Sequence, residues 1–109
     1  MTTGRRWTIV DRGGREIYLT QERWEHIIES YNHPEMSAYE EQLKDTIRSG
    51  LRQQDSLNPL KYRYVEAFDN LVEDNTHIVA IVLFRFSEDE SGAPLSNNYL
   101  VTAYQKVIR

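Results

Sequence analysis

The stretch Ile78-Val79-Ala80-Ile81-Val82-Leu83-Phe84 decides the fold. Each of its side chains is apolar, and successive side chains of a β-strand point to opposite faces of the sheet. A strand that is apolar on both faces is typical of the centre of a sheet, where both faces are covered. The sequence therefore predicts a central strand within the longer run Thr76–Phe86.

The segments on either side of this strand have a different pattern. Lys61–Phe68 and Tyr99–Lys106 alternate apolar and polar residues, which predicts two half-exposed strands beside the central one. Ser87–Asn98 is acidic and rich in Ser, Gly and Asn, so it is interpreted as a mobile loop. Leu51–Leu60 is polar and contains Asn58-Pro59, which predicts a connection rather than an element.

The first twenty residues predict a β-hairpin. Trp7–Asp11 and Arg15–Leu19 are short β-prone runs, and Arg12-Gly13-Gly14 lies between them. Paired glycines supply the positive φ that a tight hairpin turn requires.

A first helix is expected to follow the hairpin. Thr20 is a suitable N-cap, and Trp24, Ile27, Ile28 and Tyr31 recur at the spacing of one helical face. The helix is expected to end near Asn32, because Pro34 keeps the residue before it out of the α-helical region.

A second helix is expected from a capping box, Ser37-Ala38-Tyr39-Glu40. It would turn Tyr39, Leu43 and Ile47 inward and end at Gly50 as a left-handed C-cap. The expected fold is α+β, with an N-terminal β-hairpin and two α-helices packed on one face of an antiparallel β-sheet.

Length and composition narrow the class of protein. A chain of 109 residues fits one domain, residues 1–109, because a second core would leave each half too small. The absence of cysteine excludes a disulfide framework and thiolate metal sites. Met1–Trp7 lacks the apolar run of a signal peptide, and no stretch of about 18 apolar residues could span a membrane. A cytoplasmic, soluble protein is expected.

The net charge argues against a protein that coats nucleic acid by nonspecific binding. The chain has 13 basic and 17 acidic residues and a formal net charge of −4, so the whole molecule should repel polyanions at long range. A local basic cleft remains compatible with this charge.

Several cations and hydroxyls are expected to meet on the sheet. Alternation along the last strand places Thr102 and Tyr104 on one face together with Leu100. Arg63 lies between Tyr62 and Tyr64, and Arg85 ends the central apolar run. Guanidinium groups can clamp phosphate, and tyrosines can stack on bases. The same residues are also compatible with ordinary packing and edge decoration, and the pattern leaves both interpretations open.

Two histidines are candidates for proton transfer. His26 points away from the apolar stripe of the first helix, and His33 lies just past its end. An exposed imidazole near a substrate can act as acid or base. Glu22, His26, Glu29 and His33 would line up on an unbroken helix as metal ligands, but Pro34 places His33 outside it, so no metal site and no cofactor are expected.

The chain resembles a known group of nucleases. The run Ile17–Ile27, with its Thr-x-Glu-Arg-Trp-x-His-Ile pattern, the motif His33-Pro34-Glu35-Met36 and the ending Val101-Thr102-Ala103-Tyr104 look like small phage-associated and cyanobacterial members of the barnase, EndoU, colicin and RelE-like (BECR) superfamily. The resemblance extends over nearly the whole chain. It implies a four-stranded antiparallel sheet under two N-terminal helices, and RNA cleavage without a metal.

The resemblance also implies roles for individual residues. His26 would be the acid or base, Arg63 or Arg85 the cation that stabilises the phosphate, and Thr102 and Tyr104 polar groups at the scissile bond. With the neighbouring His33, Lys61, Tyr62 and Tyr64 as substrate-binding candidates, these residues form the predicted site.

Two functions are therefore predicted as alternatives. The first is a metal-independent endoribonuclease, a toxin or phage-conflict effector with RNA as substrate and a cognate antitoxin or immunity protein as partner. The second is a non-catalytic module that binds a protein through its tyrosine-rich face, which suits the negative net charge. Activity inferred from fold is an analogy and does not by itself choose between them.

Overall fold

The computed structural model describes residues 4–109, so the first three residues of the Met1–Trp7 segment considered above lie outside it. The described elements are six strands, two α-helices and a short 3-10 helix. In chain order they are β1 (Arg5–Val10), β2 (Glu16–Thr20), α1 (Gln21–Ile28), the 3-10 helix (Pro34–Ala38), α2 (Glu40–Ser49), β3 (Leu51–Gln54), β4 (Lys61–Ala67), β5 (His77–Glu88) and β6 (Pro94–Lys106).

Strands β1 and β2 pair antiparallel across a tight turn. Asp11 organises the turn, because its Oδ1 accepts hydrogen bonds from the backbone N–H groups of Gly13 and Arg15 at 2.9 and 3.0 Å. Gly14 has φ of +82°, a conformation that glycine adopts without steric cost.

Helix α1 begins as expected and ends early. The Thr20 hydroxyl accepts a hydrogen bond from the Arg23 N–H, as an N-cap does. The helix ends at Ile28, four residues before the expected Asn32, and the Tyr31 side chain is 93% exposed. The expectation that Tyr31 continues the apolar face is therefore wrong, since the backbone leaves the helix at Glu29, which has an extended conformation.

Helix α2 begins at Glu40, and the Ser37 capping box is wrong. Its N-cap is Tyr39, which provides no side-chain cap. The Glu40 carboxylate instead accepts hydrogen bonds from the Arg6 guanidinium and the Trp7 indole. A tertiary contact to β1 has replaced the local cap.

Gly50 follows α2 for a reason other than the expected one. Its φ of −68° and ψ of 161° are extended, so it is not a left-handed cap. A Cβ at this position would lie 2.4 Å from the Thr46 carbonyl oxygen and 2.9 Å from that of Val65. Close approach of two backbone segments therefore requires glycine here.

The six strands form one mixed sheet in the order β1-β2-β6-β5-β4-β3. All neighbours are antiparallel except β2 and β6, which pair in parallel through Ile17 with Asn98 and Tyr18 with Tyr99. The expectation of an all-antiparallel sheet is wrong at this pair. The connection predicted over Leu51–Leu60 is also partly wrong, because its first four residues form β3 against β4.

Strands β5 and β6 form a long hairpin that replaces most of the predicted Ser87–Asn98 loop. Pairing continues from His77 with Lys106 to Glu88 with Pro94. The turn between them is held by Asp89, whose Oδ1 accepts from the backbone N–H groups of Ser91 and Ala93. Polar composition misled the prediction, because the outer part of a two-stranded hairpin is exposed on both faces and needs no apolar alternation.

One core lies between the helices and one face of the sheet. Buried residues of both helices and of the strands belong to the same cluster; among them are Trp24, Ile27, Leu43, Ile47, Ile78, Ala80 and Val82, all expected in the core. Ile28 and Phe84, also expected there, are partly buried against it.

Candidate functional site

The other face of the sheet carries five of the polar residues that the sequence singled out, namely Lys61, Arg63, Arg85, Thr102 and Tyr104. Antiparallel register places Arg63 of β4 opposite Ile81 of β5, and Ile81 opposite Thr102 of β6. Paired residues share a face of the sheet. We call this the helix-free face. It consists of the rows of residues, paired across neighbouring strands, that contain Lys61, Arg63, Thr102 and Tyr104. Neighbouring strands are about 4.8 Å apart, so the Arg63 and Thr102 backbones lie roughly 10 Å apart.

The two rows beside this one add further polar groups. Lys61 pairs with Leu83, which pairs with Tyr99, and Val65 pairs with Val79, which pairs with Tyr104. Lys61, Tyr99 and Tyr104 therefore share the helix-free face with Arg63 and Thr102. Cations lie on β4 and hydroxyls on β6, two strands away.

An irregularity in β6 decides which residues reach this face. Ile81 pairs with Thr102 but Val82 pairs with Leu100, so Val101 is an extra residue, a β-bulge. Leu100 and Ala103 are consequently both in the core, whereas strict alternation placed Leu100 with Thr102. The bulge also brings Tyr99 to the helix-free face, which sequence reasoning missed because the run shows no mark of an extra residue.

A histidine adjoins the β6 end of the site. The His33 and Tyr104 ring centroids are 5.6 Å apart with 32° between the ring planes. His33 Nδ1 lies 3.6 Å from Glu35 Oε2, so a carboxylate adjoins the imidazole. Glu35, absent from the predicted site, thus extends it, and the motif His33-Pro34-Glu35 was its signal in the sequence.

The structure puts His26 in a different neighbourhood. It lies on the exposed side of α1, with Nδ1 3.4 Å from Glu29 Oε1, and lines a shallow pocket with Thr20, Glu22 and Arg23. The imidazole in contact with Tyr104 is His33. Within residues 4–109 no three His, Asp or Glu side chains are grouped so that they could hold a metal ion.

Arg85 lies on the helix-free face but away from the group formed by Arg63, Thr102 and Tyr104. It pairs with Asn97 in the outer half of the β5–β6 hairpin. It lies four positions from Ile81 along β5, about 13 Å along a strand. Arg63 is therefore the arginine closer to Thr102 in the sheet.

Tyr62 and Tyr64 face the helices and not the predicted site. The Tyr62 ring contacts Phe84 edge-on at 4.9 Å, and the Arg52 guanidinium lies 3.6 Å from its centroid. Tyr64 is 1% exposed, and its hydroxyl donates to Asp11 Oδ2. Their alternation with Arg63 sets this orientation. Tyr64 in particular is a core residue that cannot reach a ligand on the helix-free face.

The Asp11–Tyr64 pair has perturbed acidity. Burial alone would raise the pKa of Asp11, but hydrogen bonds from Tyr64 and from the backbone of Arg15 and Gly13 outweigh it and hold the pKa below its ordinary value. Burial, reinforced by the bond to Asp11, raises the pKa of Tyr64. The pair joins the β1–β2 turn to β4, which is separated from both strands in the sheet, and its role is structural.

A second aromatic pair lies where β2 meets β6. The Tyr18 and Tyr99 ring centroids are 6.0 Å apart, and the Arg5 guanidinium lies 3.9 Å from the Tyr18 centroid. The Tyr18 hydroxyl donates to Asn97 Oδ1 at 2.7 Å. This pair continues the helix-free face toward β1 with aromatic surface and a cation.

Comparison of the chain with protein-family models, with curated proteins and with solved structures finds no match. The resemblance to the BECR nucleases therefore rests on the residues quoted for it. None of the helices described over residues 4–109 is long and apolar enough to cross a membrane.

Proposed function

We propose that the protein is a metal-independent endoribonuclease of the BECR type that binds RNA on the helix-free face. One observation carries the proposal: the sheet register aligns Arg63 with Thr102, and the His33–Tyr104 pair lies beside them. A cation, hydroxyls and an imidazole are the groups that RNA cleavage by internal transfer requires.

The reaction uses the RNA's own nucleophile. His33 takes the proton of a ribose 2′-hydroxyl, whose oxygen attacks the adjacent phosphorus and forms the 2′-O–P bond. The P–O5′ bond breaks, and the leaving 5′-oxygen takes a proton from the Tyr104 hydroxyl. Arg63 neutralises the charge that builds on the phosphoryl oxygens, an interaction that is strongest in the transition state. The products are a 2′,3′-cyclic phosphate and a free 5′-hydroxyl.

The same face provides the means to hold a single strand. Lys61 and Arg63 contact phosphates, and Tyr99 offers a ring on which a base can stack, an interaction worth about 1–3 kcal/mol per base. Because the net charge is −4, binding depends on these few cations and not on a general positive field.

The two histidines provide a matched test. His33→Ala should lower the cleavage rate by about 10² to 10⁴, as expected on loss of a general acid or base, while His26→Ala should leave it near wild type. The measurement is cleavage of a labelled single-stranded RNA, with and without a chelator. If His33→Ala is fully active and His26→Ala has lost activity, the active site lies at His26 on α1 and not at His33. Loss of activity with the chelator would refute the metal-independent reaction.

A non-catalytic protein-binding module is the alternative, and exposed apolar residues on the β5–β6 hairpin favour it. Phe86 and Leu95 are 73% and 52% exposed, on opposite faces of this hairpin, and a protein that packs on either residue would remove apolar surface from water. An antitoxin or immunity protein would be such a partner. Under this alternative the purified protein lacks RNA affinity at low salt, and Phe86→Ser weakens a protein complex while His33→Ala does not.

A further inference from the structure

A groove on the helix-free face begins at Arg63 and extends toward the ends of the central strands. Its volume is about 830 Å³, and its lining includes Arg63, Val65, Ala67, Val79 and Lys106. Cavities that hold small ligands typically measure about 300–1,000 Å³. The groove is thus large enough for a ligand, and it shares Arg63 with the proposed reaction site.

The floor of the groove is apolar and closed. Val79 is 1% exposed although it lies outside the main core cluster, so its neighbours on the helix-free face already cover it. Val65 pairs with Val79, and Ala67 pairs with His77 at the end of the strands. An apolar strip of this kind suits the face of a nucleobase or another flat ring.

Cations stand at the two ends of the strip. Arg63 lies at one end, where its Nη2 donates to Gln53 Oε1 at 3.0 Å, and this bond occupies only part of the guanidinium. Lys106 lies at the other end, four residues farther along and two strands away, in the row of Ala67 and His77. Strand geometry puts the two backbones roughly 16 Å apart, and both side chains are long enough to reach inward.

We infer that this groove binds one nucleotide of the RNA substrate, with its base on the accessible part of the strip, at Val65 and Ala67, and its two flanking phosphates held by Arg63 and Lys106. The inference rests on the proposed function and extends it from a reaction centre to a substrate subsite. Charge supports it, because the groove lining contains three cations, Arg12, Arg63 and Lys106, against one carboxylate, Glu66, on a protein whose net charge is −4. An anionic ligand is therefore attracted to this groove rather than to the protein as a whole.

The probe is adenosine 3′,5′-bisphosphate, which has one base and two phosphates, and its affinity for the full chain is measured by calorimetry. Adenosine and inorganic phosphate are the comparison ligands. We expect the bisphosphate to bind at least about tenfold more tightly than either, because base and phosphates contribute together.

Two variants test the location. Ala67 is an exposed strand residue, so Ala67→Trp fills the groove without disturbing the core and should weaken the bisphosphate at least about tenfold. Lys106→Gln should weaken it by a similar factor. Matched controls are Ala93→Trp in the β5–β6 turn and Arg48→Gln on α2, and neither should change the affinity. Circular dichroism and melting temperature verify that each variant is folded.

The outcomes separate this inference from the proposed function. The nucleotide groove is overturned if wild type and Ala67→Trp bind the bisphosphate equally well. It is also overturned if the wild type binds the bisphosphate no more tightly than inorganic phosphate. Either result counts against the groove even if the protein cleaves RNA. Binding that is lost in Ala67→Trp supports the groove even if the wild type cleaves no RNA, and that failure refutes only the reaction.

Discussion

Replacing Tyr64 by Phe tests whether this residue belongs to the core or to a ligand site. The ring keeps its place, and only the hydroxyl that donates to Asp11 is lost. A hydrogen bond to a charged group contributes about 1.5–3 kcal/mol to stability. Asp11 retains backbone bonds from Gly13 and Arg15 in the variant, so the carboxylate is not left unpaired and the lower end, about 1.5–2 kcal/mol, is expected.

The assay is urea denaturation together with thermal melting. For a chain of this length a loss of 1 kcal/mol lowers Tm by about 4 °C, so Tyr64→Phe should lower Tm by roughly 6–8 °C. RNA affinity and cleavage should be unchanged, since Tyr64 does not face the groove. A double-mutant cycle with Asp11→Asn measures the coupling between the two side chains. A coupling below about 0.5 kcal/mol, or a stable variant that has lost RNA affinity, would refute this assignment.

The same pair predicts how stability depends on pH. The lowered pKa of Asp11 contributes stability that is present above about pH 4 and is lost as pH falls through the folded-state pKa. The raised pKa of Tyr64 contributes stability that is present below about pH 10 and is lost as pH rises above it. Tyr64→Phe should remove the part of the alkaline loss of stability that Tyr64 causes. Urea denaturation curves from pH 3 to 11 measure the free energy of unfolding at both the acid and the alkaline end.

Three further changes test other parts of the structure. Ile27→Ala removes a side chain that is 1% exposed and should cost about 2–5 kcal/mol in urea denaturation; a cost below ~0.5 kcal/mol would contradict the core position. Gly50→Ala forces a Cβ to within 2.4 Å of the Thr46 carbonyl oxygen and should cost about 1–3 kcal/mol, whereas an unchanged Tm would show that the backbone can separate. Arg63→Gln should reduce the slope of log K against log salt for single-stranded RNA by about 0.7, one phosphate contact, and an unchanged slope would remove Arg63 from the interface.

The local pattern of apolar and polar residues was sufficient to predict most of the elements near the core. The apolar run Ile78–Phe84 lies in the centre of the sheet, and Trp24 and Ile27 face inward. The spacing of apolar residues along the chain indicates which side chains are buried. Pattern failed where a tertiary contact replaced a local one. The Glu40 side chain binds Arg6 and Trp7 and not its own helix N-terminus.

The sequence determined which chemical groups the candidate site contains, and the tertiary structure decided which of them meet. Arg63, Thr102 and Tyr104 were singled out by residue type and strand parity, which are local properties. The choice of His33 over His26 as the neighbour of Tyr104, and the arrival of Tyr99 on the same face, depended on the Val101 bulge and on the path of the chain after α1. Strand register and chain path are set by packing over the whole sheet, and a single run of residues does not encode them.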